Sequence, residues 1–164
     1  MARAEAKIKD GAAPFLEPGE DVLAAIVARP RGWTQSNASA GGGAVAGAVG
    51  GVLGTKKQQD NMAAAEDSGF EIASPMGLAV TNQRVLSLKI SNPVGLGIGG
   101  DVKELVSAAP LSDVDSIELK RLPVGRTVTI TVRGTPFVLE VGAGANAKGV
   151  AESFEQAKSQ AAPA

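Results

Sequence analysis

Apolar positions recur along this chain with two different periods. From Thr127 to Arg133 the alternation is strict, with Val128, Ile130 and Val132 on one face and three threonines on the other. A period of two marks a half-buried strand. Phe137, Leu139 and Val141 repeat it after a turn at Gly134-Thr135-Pro136. Upstream, Phe70 to Thr81, Arg84 to Ser91, Val102 to Ala109 and Val114 to Arg121 read as further strands. Thr81-Asn82-Gln83, a glycine-rich loop from Asn92 to Asp101, and Leu111-Ser112-Asp113 separate them. Val22 to Arg29 reads as a buried strand, although its length also permits a helix. Near the C-terminus the period changes. Ala147, Val150, Ala151, Phe154 and Lys158 recur at helical spacing behind Asn146, a residue suited to an N-cap. At the other end, Ala2 to Lys9 predicts a short helix with Glu5 and Lys9 at i,i+4, ended by Gly11.

These elements predict an α+β fold. Four or more antiparallel strands at this spacing suggest a sandwich or a partly open barrel, and the helix near residues 146–159 is suited to cover a sheet end. Residues 1–14 are read as an N-terminal extension, 15–159 as the domain and 160–164 as a tail. A glycine- and alanine-rich helical insert at 33–68 separates the first strand from the second.

The insert is the least ordinary stretch of the chain. Seven of the 21 glycines lie between Gly41 and Gly54, and no charge occurs from Ala40 to Gly54. Gly43, Gly47 and Gly51 form a GxxxGxxxG series, and Gly50 and Gly54 add another step. On a helix such glycines present a flat groove that a second helix can approach closely. Each glycine costs roughly 1 kcal/mol against alanine in a water-exposed helix. The segment therefore needs a partner: its own domain, a second copy or a bilayer. Fifteen residues make a helix of about 22 Å, short of a hydrocarbon core of about 30 Å. Simple spanning is disfavoured. Shallow insertion with Trp33, Lys56 and Lys57 at the headgroups remains open.

Composition removes several chemistries. There is no histidine, cysteine or tyrosine. A Ser-His-Asp triad, a Cys-His dyad and a Cys/His zinc site are impossible. Net charge is −1, so no global field recruits nucleic acid, and no aromatic side chains interleave with basic ones for base stacking. Gly95 to Gly100 lacks the Lys-Ser/Thr of a phosphate-binding loop. Asp113 and Asp115 are the nearest approach to a carboxylate pair, for acid/base work or for a metal, and no further acidic ligand sits at calcium-loop spacing. No catalytic residue, metal or cofactor is expected. Met1 to Asp10 has no apolar run of a secretory signal. A cytoplasmic protein is expected, peripheral at the inner membrane face if it meets lipid.

Three stretches carry a resemblance. Leu16-Glu17-Pro18-Gly19-Glu20-Asp21-Val22-Leu23, Leu78-Ala79-Val80-Thr81-Asn82-Gln83-Arg84-Val85-Leu86 and Leu111-Ser112-Asp113-Val114-Asp115-Ser116-Ile117-Glu118 resemble motifs of the bacterial pleckstrin-homology-like (PH-like, GRAM-related) domain family. The T-N-Q-R hairpin is the most specific. The resemblance implies an α+β fold with a curved, strongly bent antiparallel sheet of about seven strands, a PH-like partly open barrel, capped by the C-terminal helix. It also implies a binding or assembly scaffold of a bacterial cell rather than a catalyst.

The residues give T-N-Q-R a structural reading first. Asn82 tolerates the left-handed conformation of a tight turn, Thr81 bonds its own turn, and Arg84 reaches back to a carbonyl or carboxylate. A ligand role is the alternative. Lys120, Arg121, Arg126 and Arg133 lie in one hairpin without an acid from Leu119 to Val138. They are candidates for contact with an anionic surface, and an ordinary solvated face is the plain alternative. The expected role is a non-catalytic module contacting a protein partner or a membrane surface, without nucleic acid. The alternative is a homo-oligomer assembled through the GxxxGxxxG insert.

Overall fold

The computed structural model describes residues 2–30, 59–73, 75–91, 101–121, 126–141 and 146–161. Helix α1 (Ala2–Ala12) runs into a short 3-10 turn at Ala13–Phe15. Strand β1 (Val22–Pro30) follows. Residues 59–67 are helical and are called α2. Then come β2 (Met76–Thr81), β3 (Arg84–Ile90), β4 (Val102–Pro110), a 3-10 turn at Leu111–Asp113, β5 (Val114–Arg121), β6 (Arg126–Val132) and β7 (Thr135–Val141). Helix α3 (Ala147–Ala161) closes the order.

The seven strands form one antiparallel sheet in the order β4-β3-β2-β1-β7-β6-β5. It is open, with β4 and β5 at its free edges. The sequence placed most of these strands within two residues. Strand β2 is the exception. Phe70 and Ile72 lie before the strand and fill the core, and Phe70 stacks on Phe137 with ring centroids 5.7 Å apart.

The core lies between the two halves of the sheet. Ile26, Leu78, Val80 and Val85 from one half meet Ile117, Val128, Ile130 and Leu139 from the other, with Val150 and Phe154 of α3. The alternation read from Thr127 to Arg133 is the reason: Val128, Ile130 and Val132 are fully buried. Asn146 caps α3 as its residue type suggests, its Oδ1 accepting the Gly149 N–H at 3.1 Å. Full burial of a side chain such as Phe154 contributes about 1.5–3 kcal/mol.

The seam between the halves is narrow. Strand β1 meets β7 only at Ala28↔Val141, Arg29↔Glu140 and Pro30↔Leu139. Helix α2 lies against β7 nearby. The Asn61 Nδ2 donates to the Val138 carbonyl at 2.6 Å, and the Val138 N–H donates to Asn61 Oδ1 at 2.9 Å. The side-chain amide thus supplies the pair of bonds that a neighbouring strand would supply.

Helix α1 packs on the outer face of the sheet. Ile8 and Ala12 are fully buried against Ala25, Ala79, Leu86 and Leu88. This second layer explains why every residue of β2 is buried: its strand is covered on both faces. Gly11 does not end the helix, which continues to Ala12. A Cβ at Gly11 would lie 2.6 Å from Val102 Cγ2, so the glycine lets the helix approach β4. Glu5 and Lys9 do pair, at 3.3 Å.

Candidate functional site

Two turn regions hold charged motifs that point inward: the start of β1 with the β2–β3 turn, and the β6–β7 turn. Glu17-Pro18-Gly19-Glu20 is a tight turn with Gly19 at φ +77° and the Glu20 N–H donating to the Glu17 carbonyl at 3.0 Å. The turn presents the Glu20 carboxylate to the β2–β3 hairpin. Arg84 Nε and Nη2 donate to its two oxygens, each at 2.9 Å, and the Thr81 hydroxyl donates to Oε1 at 2.7 Å. The Glu17 N–H donates to Oε2 at 2.8 Å. Arg84 Nη2 also donates to the Phe15 carbonyl at 2.9 Å, tying down the turn after α1.

The Glu20 side chain is fully buried. Burial pushes its pKa up, but the Arg84 fork, the Glu17 N–H and the Thr81 hydroxyl outweigh this and hold it below the ordinary glutamate value. Glu20 in turn raises the Arg84 pKa. The structural reading of T-N-Q-R therefore holds: Thr81 also accepts from the Gln83 and Arg84 N–H groups, at 3.0 and 2.9 Å. Asn82 differs from expectation. Arg133 is the one non-glycine residue with positive φ among the described residues. Asn82 instead accepts from the Asp21 N–H and donates to the Gly19 carbonyl, both at 3.0 Å, which closes the hairpin onto β1.

Arg133 and Gly134, at φ 49° and 80°, form the two-residue β6–β7 turn. Arg133 Nη2 donates to Asp113 Oδ2 at 2.7 Å, and Nη1 donates to the Ser68 carbonyl beyond α2 at 2.9 Å. Asp115 Oδ2 accepts the Gly134 N–H at 2.7 Å. Asp113 and Asp115 are thus turn-holding groups. Ser68 gave no signal in the sequence as the partner of Arg133, because nothing in a spacing of 65 residues announces it.

The free edges are protected. Strand β4 carries two register shifts against β3, the exposed Lys103 and Glu104, and a terminal Pro110. The start of β5 is irregular, and Lys158 Nζ donates to the Val114 and Asp115 carbonyls at 2.7 and 3.0 Å. Bulges, charges and proline are the devices that discourage strand addition.

That leaves the β5–β6 hairpin end, where β5 and β7 finish. Register carries one row across the sheet there: Glu104, Lys89, Met76, Ala28, Val141, Arg126, Arg121. Lys120 lies one step away, opposite Thr127. Lys120 and Arg121 are exposed, and Arg126 is half-buried. The structure brings these three candidates together. It places Arg133 at the far end of β6, roughly 20 Å away along the strand. Trp33, Gly43, Gly47, Gly50, Gly51, Gly54, Lys56 and Lys57 lie outside the described residues. Among the described residues no group of three acidic, histidine or cysteine side chains is placed to hold a metal ion. No helix among them is long and apolar enough to cross a membrane.

The architecture is the one that the PH-like resemblance implies: seven antiparallel strands in an open sheet with a C-terminal helix. The N-terminal helix is an addition to it. No family model matches the chain, and no curated protein matches it. Solved structures do. One is a DUF1696 family protein with a pleckstrin-homology domain from Shewanella loihica, at 11% identity and a TM-score of 0.47, covering 93% of this chain and 92% of that one. Another is a pleckstrin homology domain from Shewanella amazonensis, at 11% identity and a TM-score of 0.44, covering 93% and 96%.

Proposed function

We propose that this protein is a non-catalytic binding module of a bacterial cell that rests the β5–β6 hairpin end of its sheet on an anionic membrane surface. Lys120, Arg121 and Arg126 carry this reading. They meet at one hairpin end, and among the described residues none of them makes an ion pair. Arg84 and Arg133, by contrast, are committed to internal partners. Each cation near an anionic leaflet contributes on the order of 1 kcal/mol. Three contribute about 3 kcal/mol, or roughly 100-fold in affinity.

The non-catalytic part rests on the same accounting. Glu20, Asp113 and Asp115 hold turns, and no histidine or cysteine is present to move a proton or attack a substrate. The working location is the inner face of the cytoplasmic membrane, with no cofactor and no nucleic acid.

Flotation with phosphatidylcholine vesicles, with and without phosphatidylglycerol, tests the proposal. The intact chain is expected to float with the anionic vesicles alone. The triple variant Lys120→Ser, Arg121→Ser, Arg126→Ser is expected to bind them roughly 100-fold more weakly. Equal flotation of both proteins, or of neither, overturns the proposal. Light scattering on the same samples reads self-association through Gly43, Gly47 and Gly51 separately, since a membrane contact through the hairpin does not require it.

A further inference from the structure

The cationic end has an internal order that a diffuse charged patch lacks. Arg121 and Arg126 face each other directly in the β5–β6 register, so their Cα atoms are about 5 Å apart. They continue the core-facing rows: Ile117 and Leu119 precede Arg121 on β5, and Val128 and Ile130 follow Arg126 on β6. Val141 flanks Arg126 on β7. The acids of this half-sheet lie in the other rows. Glu118 pairs with Thr129, and Glu140 pairs with Thr127 and Arg29. Lys120 shares that outer face. Two arginine side chains therefore leave facing register positions on one face, Arg126 half-buried and Arg121 exposed, with no carboxylate on that face of β5, β6 and β7.

Like charges directly opposite one another on paired strands repel. A ligand that removes the repulsion must carry about two negative charges and accept from two planar forks at once. A phosphate monoester does both: it carries about −1.5 to −2 charges at neutral pH and has three acceptor oxygens. A phosphodiester carries one charge and leaves one guanidinium uncompensated. We infer that Arg121 and Arg126 form a two-armed clamp for a phosphate monoester. The inference deepens the proposed function, since it names the headgroup chemistry that the same surface selects. Arginine rather than lysine matters here, because the fork binds phosphate bidentately and an ammonium acts as a point charge.

The test separates charge from geometry. Vesicles with phosphatidic acid, a monoester, are compared with vesicles of equal total charge made with phosphatidylglycerol, a diester. Methyl phosphate and dimethyl phosphate supply the soluble arm, read by NMR shifts at Arg121 and Arg126. The intact chain is expected to prefer the monoester about tenfold in at least one arm. In the double variant Arg121→Lys, Arg126→Lys that preference is expected to vanish, while binding to phosphatidylglycerol stays within about twofold. A preference in the vesicle arm alone assigns the clamp to a lipid headgroup. A preference in the soluble arm, with no vesicle binding at all, keeps the clamp and removes the membrane function. Equal binding of monoester and diester in both arms overturns the clamp and leaves the membrane function standing. Survival of the preference in the lysine variant overturns it too. A thermal melt matching that of the intact chain shows that the variant is folded.

Discussion

Arg84→Met is expected to destabilise the fold by about 3–5 kcal/mol, because it leaves the buried Glu20 carboxylate without its cation. For a chain of this size that lowers the melting temperature by roughly 10 °C. The double variant Glu20→Met, Arg84→Met is expected to be more stable than the single one. It removes the uncompensated charge along with the pair, and apolar replacements of similar volume can recover much of the loss. Thermal melts of the two variants check this. A double variant less stable than Arg84→Met would mean that Glu20 does not depend on Arg84.

The same carboxylate gives the pair a signature in pH. Its folded pKa lies below the ordinary value of 4.5, despite burial, because the bonds from Arg84, Glu17 and Thr81 favour the ionised form. Between the folded and unfolded values the unfolded chain binds more protons. The contribution is therefore complete above the ordinary value and is lost as pH falls through the folded one. In Glu20→Gln the acid limb of stability against pH is expected to be shallower below about pH 4.5 than in the intact chain.

Ile8→Ala is the second large effect. Its side chain is fully buried against β1, β2 and β3, and truncation of a buried isoleucine costs about 2–5 kcal/mol. A side chain in a free extension would cost within about 0.5 kcal/mol. Urea denaturation distinguishes the two values directly. A change of the smaller size would show that α1 is not a layer of the fold.

The contrast between these two sites shows what the chain discloses and what it conceals. The strands were legible because β6 and β7 bury one face each, and a two-residue period records that in the order of side chains. Helix α3 was legible for the same reason at a period of 3.6, with Asn146 marking its start. T-N-Q-R was legible as a structural device, since a short turn limits what its side chains can reach. Its carboxylate partner was not named: Glu20 sits 64 residues from Arg84, in a motif that reads locally as a turn. The role of α1 was hidden further. Its sequence alternates charges with alanines, and a single large apolar residue, Ile8, gives little period to read. Its partner surface shows only as unbroken burial along β2, which from sequence is indistinguishable from a strand buried for any other cause. Asn61 was hidden because one side-chain amide replacing a strand leaves no pattern at all. At the cationic end, charge was visible in sequence, but register was not. Register separates Arg133 from the cluster and sets Arg121 against Arg126.

The central claim is that recognition belongs to the β5–β6 hairpin and that the T-N-Q-R hairpin is internal architecture. A titration of the 15N-labelled full chain with anionic bicelles tests it most directly. The amide shifts are expected to concentrate at Lys120, Arg121, Arg126 and Val141, while Thr81, Asn82, Gln83 and Arg84 stay unmoved. Shifts centred on Thr81 to Arg84, with the β5–β6 end silent, would contradict the account.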